Sequence, residues 1–444
     1  MGKPNVTVNI EPGDGISVFY LMLAPQSHDD NYHAQVSLKL LIENLDTENI
    51  HLNLIKISFV APPFVNDKTI AVAMDIVPNG TVEWHFNNAD NLILPFPTPV
   101  SLKLSLFFDG FVDPYTVDRS LTAYQTSFPP GSYAFPGKIQ DLQTEEYWAG
   151  TSAVHAPAGD GSQLFGYDMD IIAFDADKNA FTYLIPGGSD SNNEDYRIWG
   201  TPVYAMADGK IVSYSNEEPT NLSPPADLSP PGRVEGNHFY IQHGDELMLY
   251  AHLQEGSLEP KFTKKDPDEV RMGDRLGLIG NSGNSTRPHL HIHAIRGNAA
   301  WSGPLQPIPF RGIQVLAVSE LISDINQPWV SVNGQGLPAT WTAIWPAIPI
   351  PKIPDIEKWK AIVYIIFGVT MDAGGLALSP SGKPIPIGPW DPLRHLSPAK
   401  RDILLGLAVT EIASIADDSK SKLAIEKLGI DVITNAIKKM AKAL

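Results

Sequence analysis

The chain has 444 residues, of which 43% are hydrophobic, and this length allows roughly two to three domains with ordinary buried cores. Its 50 acidic and 32 basic side chains give a formal net charge of -18, which argues against nucleic acid or an anionic membrane surface as the main partner. The chain has no cysteine, so any bound metal ion must be held by His, Asp or Glu side chains.

The first residues, Met1 to Thr7, lack the basic region and apolar core of a secretory signal. We therefore expect the protein to be cytoplasmic or exported by a signal-independent route. The uncharged apolar stretch from Ala361 to Met371 is shorter than the ~20 residues that a membrane-spanning helix needs. The sequence therefore predicts no transmembrane segment.

Residues 1–122 alternate between apolar and polar side chains, as half-buried strands do. The alternation is clear at Val36, Leu38 and Leu40, and again from Val100 to Leu106. Turn signals divide the region into roughly seven short strands, which is typical of an antiparallel β-sandwich. Four scattered histidines in this region, His28, His33, His51 and His85, have no metal-ligand spacing, and we interpret them as packing or surface residues.

Residues 123–340 keep the strand and turn pattern and contain most of the polar residues with chemical potential. A proline-rich stretch follows, and it predicts a stiff extended connector over residues 341–356. Residues 357–444 then change to helical spacing. Ser397-Pro398 predicts a helix start, and a stripe of apolar side chains between Ile430 and Leu444 predicts a last helix.

The predicted fold is mainly β with a helical C-terminal part: an N-terminal β-sandwich, a central antiparallel β-sheet domain and a C-terminal α-helical domain. Packing among themselves is the simplest role for the C-terminal helices, and binding a partner is the alternative.

Three histidines, His289, His291 and His293, occupy alternate positions directly after the glycine-containing turn Gly280-Asn281-Ser282-Gly283. Residues two apart in a strand share a face, so the three imidazoles are expected to point toward one small volume. The pattern predicts a metal site, and the alternative is a set of hydrogen-bonded strand histidines.

Four segments, in this order and spacing, resemble the lysostaphin-like zinc metallopeptidases, which are peptidoglycan endopeptidases. They are Trp199 to Val212, Leu249-Tyr250-Ala251-His252-Leu253, Gly273 to Gly277 and Asn281 to His291. The resemblance covers the central region only, from Tyr167 to Arg296.

The resemblance implies a Zn²⁺ ion held by a His and an Asp of an early strand and by the second His of the His-x-His pair. It makes His291 a zinc ligand and gives His252 and His289 catalytic roles, as general base and as stabiliser of the oxyanion. The implied reaction is cleavage of a peptide bond in bacterial cell-wall peptidoglycan, with metal-bound water as the nucleophile.

The early strand, Phe165 to Ile172, supplies Asp170 as the expected Asp ligand, with Asp168 as the alternative. The family's first His ligand stands four residues before that Asp, where this chain has Gly166 or Leu164. Neither side chain binds metal. Three residues are therefore candidates for the third ligand, listed in chain order: His155, Asp168 and His293.

Two functions follow from this pattern. The first is a zinc-dependent metalloendopeptidase acting on peptide or peptidoglycan substrate. The alternative is a catalytically degenerate module that binds wall peptides or a protein partner through the same groove. Arg287, beside the predicted site, is interpreted as a solvated side chain rather than a ligand for a substrate carboxylate.

Overall fold

The computed structural model describes residues 2–26, 33–61, 64–86, 92–95, 101–152, 161–221, 234–267, 269–299, 303–323, 329–346, 370–371 and 377–378. Its architecture is mainly β. Among these residues no helix is both long and apolar enough to cross a membrane.

The first ten strands form the N-terminal part. They are β1 (Val6–Glu11), β2 (Ser17–Leu23), β3 (His33–Val36), β4 (Lys39–Asn44), β5 (Ile50–Ala61), β6 (Phe64–Ile76), β7 (Thr81–His85), β8 (Leu92–Pro95), β9 (Ser101–Phe108) and β10 (Tyr115–Ala123). A three-stranded sheet has the order β1-β4-β7, and a seven-stranded sheet has the order β6-β5-β9-β10-β2-β3-β8.

The predicted alternation is confirmed in β9, where Leu102, Leu104 and Leu106 are buried and Lys103 is exposed. The stretch around Val36 differs from the prediction. Residues 36 to 40 are all buried, and the chain passes there from β3 to β4. Both faces of this crossing are covered, so an alternating sequence does not mark a half-exposed strand here.

The central part is built around a large antiparallel sheet with the order β15-β16-β17-β19-β12-β11-β23-β21-β22, to which β13 and β20 are attached. Its strands are β11 (Glu146–Gly150), β12 (Tyr167–Asp175), β13 (Ala180–Thr182), β14 (Pro202–Tyr204), β15 (Lys210–Ser215), β16 (Asn237–His243), β17 (Glu246–Leu253), β18 (Arg275–Leu278), β19 (Leu290–Arg296), β20 (Leu305–Gln306), β21 (Phe310–Ala317), β22 (Val330–Gln335) and β23 (Thr342–Pro346). Strands β14 and β18 pair separately. The strand β23 lies within the range predicted as connector, of which residues 347–356 are outside the described residues.

The prediction of a helical C-terminal domain is wrong for the described residues. Their two α-helices are short and lie in the central region: α1 (Pro260–Thr263) and α2 (Val318–Ser323). Beyond residue 346 the described elements are two paired strands, β24 (Thr370–Met371) and β25 (Ala377–Leu378). The physical reason for the error is that spacing and capping signals are weak predictors without a packing partner to bury the apolar stripe. The predicted helices at Ser397-Pro398 and at 430–444 lie outside the described residues.

The N-terminal and central parts share buried surface. Leu164 and Phe165, which precede β12, and Leu305 of β20 belong to the same apolar cluster as the N-terminal core residues. The Gln35 amide of β3 also donates a hydrogen bond to the Leu164 carbonyl, at 3.4 Å. The chain just before β12 is therefore fixed by contacts with the N-terminal sheets.

A buried carboxylate anchors the segment that leaves the N-terminal part. Glu246 of β17 accepts hydrogen bonds from the Tyr124 and Tyr133 hydroxyls, at 2.6 and 2.7 Å, and from the Ser127 amide at 3.0 Å. Burial raises the pKa of the Glu246 carboxyl, and the three donors oppose that effect. This network ties residues 124–133 to the start of β17.

Candidate active site

The site is formed where three adjacent strands of the large sheet meet. In the register of β12 and β19, Asp168 lies directly opposite His291, and on the other side of β19 the residue opposite His291 is Ala251 of β17. Directly opposed residues of antiparallel strands project to the same face. The Asp168 carboxylate therefore reaches the His291 ring, and the distance from Asp168 Oδ1 to His291 Nδ1 is 2.9 Å.

His289 precedes β19 and turns its ring toward the same carboxylate. Its Nδ1 lies 2.8 Å from the Arg287 carbonyl oxygen, and its Nε2 lies 3.4 Å from Asp168 Oδ1. A carbonyl oxygen only accepts hydrogen bonds, so Nδ1 carries the proton. The second nitrogen, Nε2, is then directed at the site.

His252 is held at the end of β17 in the left-handed backbone region, with φ of 62°. Such a conformation is uncommon for a residue with a side chain and often occurs at functional sites. The His252 Nδ1 donates to the Ser282 carbonyl at 2.8 Å, which leaves Nε2 with its lone pair. The ring centroid of His252 is 4.8 Å from that of His289 and 5.8 Å from that of His291.

The surroundings keep His252 neutral. Burial lowers the pKa of the His252 imidazole well below its ordinary value, and the neighbouring His289 and His291 lower it further. An unprotonated ring with a free Nε2 is the form that a general base requires.

Hydrogen bonds from a buried asparagine side chain hold the turn before His289. The Asn221 side-chain amide donates to the carbonyls of Gly283 and Ser285, at 3.0 and 2.8 Å. Gly283 has a positive φ, 72°, and a Cβ at this position would lie 2.2 Å from the Gly236 nitrogen. Only glycine fits there, because both the backbone angle and the close approach exclude a side chain.

Asp170 has a different partner from Asp168. Both oxygens of its buried carboxylate pair with the Arg287 guanidinium, with Nη2 to Oδ2 at 2.9 Å and a shorter contact from Nη1 to Oδ1. The Arg287 Cζ also lies over the Tyr183 ring, 5.0 Å from its centroid. Arg287 is thus an anchored side chain rather than a solvated one, and a two-point ion pair of this kind fixes its orientation.

The remaining candidates for a third ligand are placed apart from the Asp168 carboxylate or cannot be described. His293 Nδ1 lies 2.9 Å from His291 Nε2, on the side of that ring opposite the nitrogen facing Asp168. His155 is outside the described residues. A Cβ added at Gly166 would be 3.2 Å from His291 Cε1, whereas Leu164 is buried against the N-terminal core.

Two donor atoms of the site have a spacing that suits a zinc ion. Ligand atoms of a tetrahedral zinc ion, with bonds of about 2.0–2.2 Å, lie roughly 3.3 Å apart. Asp168 Oδ1 and His291 Nδ1 are close to this spacing, and both are ordinary zinc donors. Among the described residues no group of three or more His, Cys, Asp or Glu side chains is arranged to hold a metal ion. Asp168 and His291 thus offer two of the three protein ligands that a catalytic zinc site takes.

Sequence reasoning missed the residues that orient the site through their main chains or through pairing. Ser282 and Arg287 act through carbonyl oxygens, which no residue pattern reveals. The sequence contained a weak indication of the partner of Asp170, because a cation, Arg287, stands two residues before His289.

Two other histidines, His238 and His243, are buried in β16 and bond to main-chain carbonyls, at 2.8 and 3.0 Å.

The central region matches known proteins. Residues 193–302 match the model of Peptidase family M23. Peptidoglycan DD-endopeptidase ShyA of Vibrio cholerae is 38% identical over 97 residues, which are 22% of this chain and 18% of that protein. Glycyl-glycine endopeptidase ALE-1 of Staphylococcus capitis is 32% identical over 126 residues, which are 28% of this chain and 30% of that protein.

Among solved structures, the catalytic domain of lysostaphin from Staphylococcus simulans is 20% identical, with 38% of this chain and 90% of that domain covered and a TM-score of 0.21. The aligned parts amount to less than a third of the length of the two curated relatives, 18% and 30%. The family assignment rests on the sequence matches to the central region. Residues 193–302 of this chain form a domain of Peptidase family M23, the family of lysostaphin-like peptidases.

Proposed function

We propose that the protein is a zinc-dependent endopeptidase that cleaves peptide bonds in bacterial cell-wall peptidoglycan. One observation supports this proposal above the others. Within and beside the M23 match, Asp168, His252, His289 and His291 converge, with contacts of 2.9 and 3.4 Å from Asp168 Oδ1 to the two ring nitrogens and a centroid distance of 4.8 Å between His252 and His289. The relative named as a peptidoglycan DD-endopeptidase favours a peptidoglycan substrate.

In this proposal Asp168 and His291 hold the zinc ion. When bound, the ion would polarise the scissile carbonyl and make a water molecule more acidic. We assign Asp168 rather than Asp170 because the Asp170 carboxylate is committed to Arg287 through both oxygens.

The two other histidines have different roles in this proposal. His252 is neutral with a free Nε2, so it can remove a proton from the attacking water. His289 directs Nε2 at the centre of the site, where an N–H at this atom would stabilise the negative charge that develops on the carbonyl oxygen. The carbonyl oxygens of Ser282 and Arg287 fix a proton on Nδ1 of each ring, so that Nε2 faces the site.

The test is digestion of purified peptidoglycan by the purified chain, with and without added Zn²⁺, followed by separation of the soluble fragments and mass spectrometry. New peptide fragments in the wild type, absent with His252→Ala and His289→Ala, are the expected result. Binding to the insoluble wall without release of any fragment would instead identify a degenerate module and overturn the proposal. Wall polymers with stem-peptide crosslinks and with glycine crosslinks, assayed side by side, would identify the bond.

A further inference from the structure

The ion pair between Arg287 and Asp170 has its positive end toward solvent. The Arg287 side chain is 29% exposed, whereas the Asp170 side chain is 9% exposed. The Tyr183 ring lies against the guanidinium, with 5.0 Å between Cζ and the ring centroid. Because the carboxylate lies inside and the guanidinium outside, the pair presents a cationic edge at the surface of the site.

Arg287 does not use all of its hydrogen-bond donors within the chain. A guanidinium has five N–H groups in a planar fork. Asp170 takes one from each of Nη1 and Nη2, and the Pro288 carbonyl lies 3.4 Å from Nη1. The Nε–H and the second N–H of Nη2 have no acceptor among the described residues, and Nε is open to solvent. These two donors are neighbours on one edge and point in the same direction.

This free edge carries a permanent charge at a fixed place beside the proposed catalytic residues. Burial lowers the pKa of the Arg287 guanidinium, but the Asp170 carboxylate, with Asp168 in addition, raises that pKa above its ordinary value. The Arg287 carbonyl oxygen accepts from His289 Nδ1 at 2.8 Å, so the same residue borders the site through its main chain. The side chain is therefore oriented before any ligand arrives, which lowers the entropy cost of binding.

We propose that Arg287 is a specificity residue that binds a carboxylate of the wall peptide at its Nε–Nη2 edge. The inference rests on the proposed function, because it names the chemical class of substrate for the same site: a peptide with a free carboxylate near the bond that is cleaved. Two parallel N–H groups match the two oxygens of a carboxylate. The edge recognises the group whether it ends the peptide or belongs to an acidic side chain.

The net charge of the chain makes this preference easy to distinguish from a general electrostatic effect. With a formal net charge of -18, the protein as a whole repels anionic ligands. Conversion of wall carboxylates to neutral amides should therefore improve binding if no local site for a carboxylate exists. A local site at Arg287 predicts the opposite order.

The test compares two forms of one peptidoglycan preparation, untreated and amidated with carbodiimide and excess ammonia. The rate of peptide release by the full chain is measured on both. We expect the wild type to act about 10- to 100-fold faster on the untreated wall, the usual contribution of hydrogen bonds to a charged group. Mass spectrometry of fragments from partly amidated wall then identifies the carboxylate, because the required one stays unmodified in every fragment.

Variants at Arg287 assign the preference to its side chain. Arg287→Gln is expected to release peptides from the two walls at rates within about twofold of each other, and Arg287→Lys to keep a preference of only about two- to fivefold, since an ammonium lacks the fork. The ratio within one variant is independent of general damage to the site, because such damage slows both reactions alike. Arg275→Gln is the matched control, because Arg275 pairs with Glu259 on β18, and its ratio should equal that of the wild type.

A wild type that does not distinguish the two walls, or prefers the amidated one, would overturn the role of Arg287. An Arg287→Gln variant with the full wild-type preference would do the same. If the wild type releases no peptide from either wall, the proposed function fails, and co-sedimentation of His252→Ala with the two walls decides this inference separately. Stronger binding to the untreated wall, lost in the double variant with Arg287→Gln, would support the carboxylate site; equal binding would overturn it too.

Discussion

Asp170 and Arg287 connect β12 to the turn before β19 by a two-point ion pair. The same Arg287 accepts the His289 Nδ1–H through its carbonyl oxygen, at 2.8 Å. The side chain of Arg287 therefore anchors the main-chain segment that orients one of the two proposed catalytic rings. Asp168, two residues before Asp170 on the same strand, faces that ring from the other side.

The roles of the two aspartates predict opposite metal contents. Asp168→Asn is expected to weaken Zn²⁺ binding about tenfold or more, or ~1.4 kcal/mol, because an amide is a poorer ligand than a carboxylate. Asp170→Asn is expected to bind Zn²⁺ with nearly the wild-type affinity, because its partner is Arg287. Elemental analysis and chelator competition on the two variants measure this. Loss of zinc in Asp170→Asn with retention in Asp168→Asn would reverse the ligand assignment.

The ion pair itself is expected to stabilise the fold. Removing one partner leaves the other poorly paired and partly buried, which costs about 1–3 kcal/mol for either Asp170→Asn or Arg287→Gln. The double variant should lose less than the sum of the two single variants, because both remove the same contact. Urea denaturation of the four proteins gives this coupling energy. Strictly additive losses would show that the two side chains do not act as a pair.

The proposed catalytic histidines should separate activity from metal binding. His252→Ala and His289→Ala are each expected to lower the rate of wall-peptide release about 10²- to 10⁴-fold, the usual contribution of proton transfer and charge stabilisation. Both variants should keep nearly normal Zn²⁺ affinity, since neither ring is a proposed ligand. His238→Gln, on the neighbouring strand β16, is the control and should keep its activity. A variant at His252 with full activity would exclude it as the base.

His243 predicts how stability depends on pH. Burial lowers the pKa of the His243 imidazole from 6.5 to about 4, so the unfolded chain binds the proton more tightly than the folded one. Its contribution is fully present above pH 6.5 and is lost progressively as the pH falls toward about 4. The difference corresponds to about 3 kcal/mol.

Urea denaturation between pH 7 and pH 4 measures this loss, and His243→Phe should reduce the slope in that window. His51→Gln, at a more exposed histidine of β5, serves as the reference for a general surface effect. An unchanged slope in His243→Phe would assign the pH dependence to other groups.

The tyrosines bonded to Glu246 should contribute to the attachment of the segment between the N-terminal and central parts. Tyr133→Phe removes the hydroxyl that lies 2.7 Å from Glu246 Oε2 and is expected to lower the free energy of unfolding by about 1.5–3 kcal/mol. Tyr115→Phe, at a half-buried position of β10, is the matched control. Thermal denaturation of the two variants measures the difference. Equal midpoints would mean that the Glu246 network contributes little to stability.

The sequence by itself determined the family of the central region and the strand that carries the site. Two local patterns carry this information: the alternate spacing of His289, His291 and His293, and the Tyr-Ala-His-Leu segment. Patterns among residues close together in the chain can be recognised from the sequence alone. It also predicted the turn at Gly283, where glycine supplies the positive φ.

The tertiary structure decided which residues face each other. Asp168 and Asp170 have the same alternation in the sequence, and only the register of β12 with β19 places Asp168 opposite His291 and leaves Asp170 to Arg287. His293 shares the spacing of the other two histidines, yet its nitrogen meets the far side of the His291 ring. The register of β12 with β19 depends on contacts between residues more than a hundred positions apart, and no local pattern of one strand contains it.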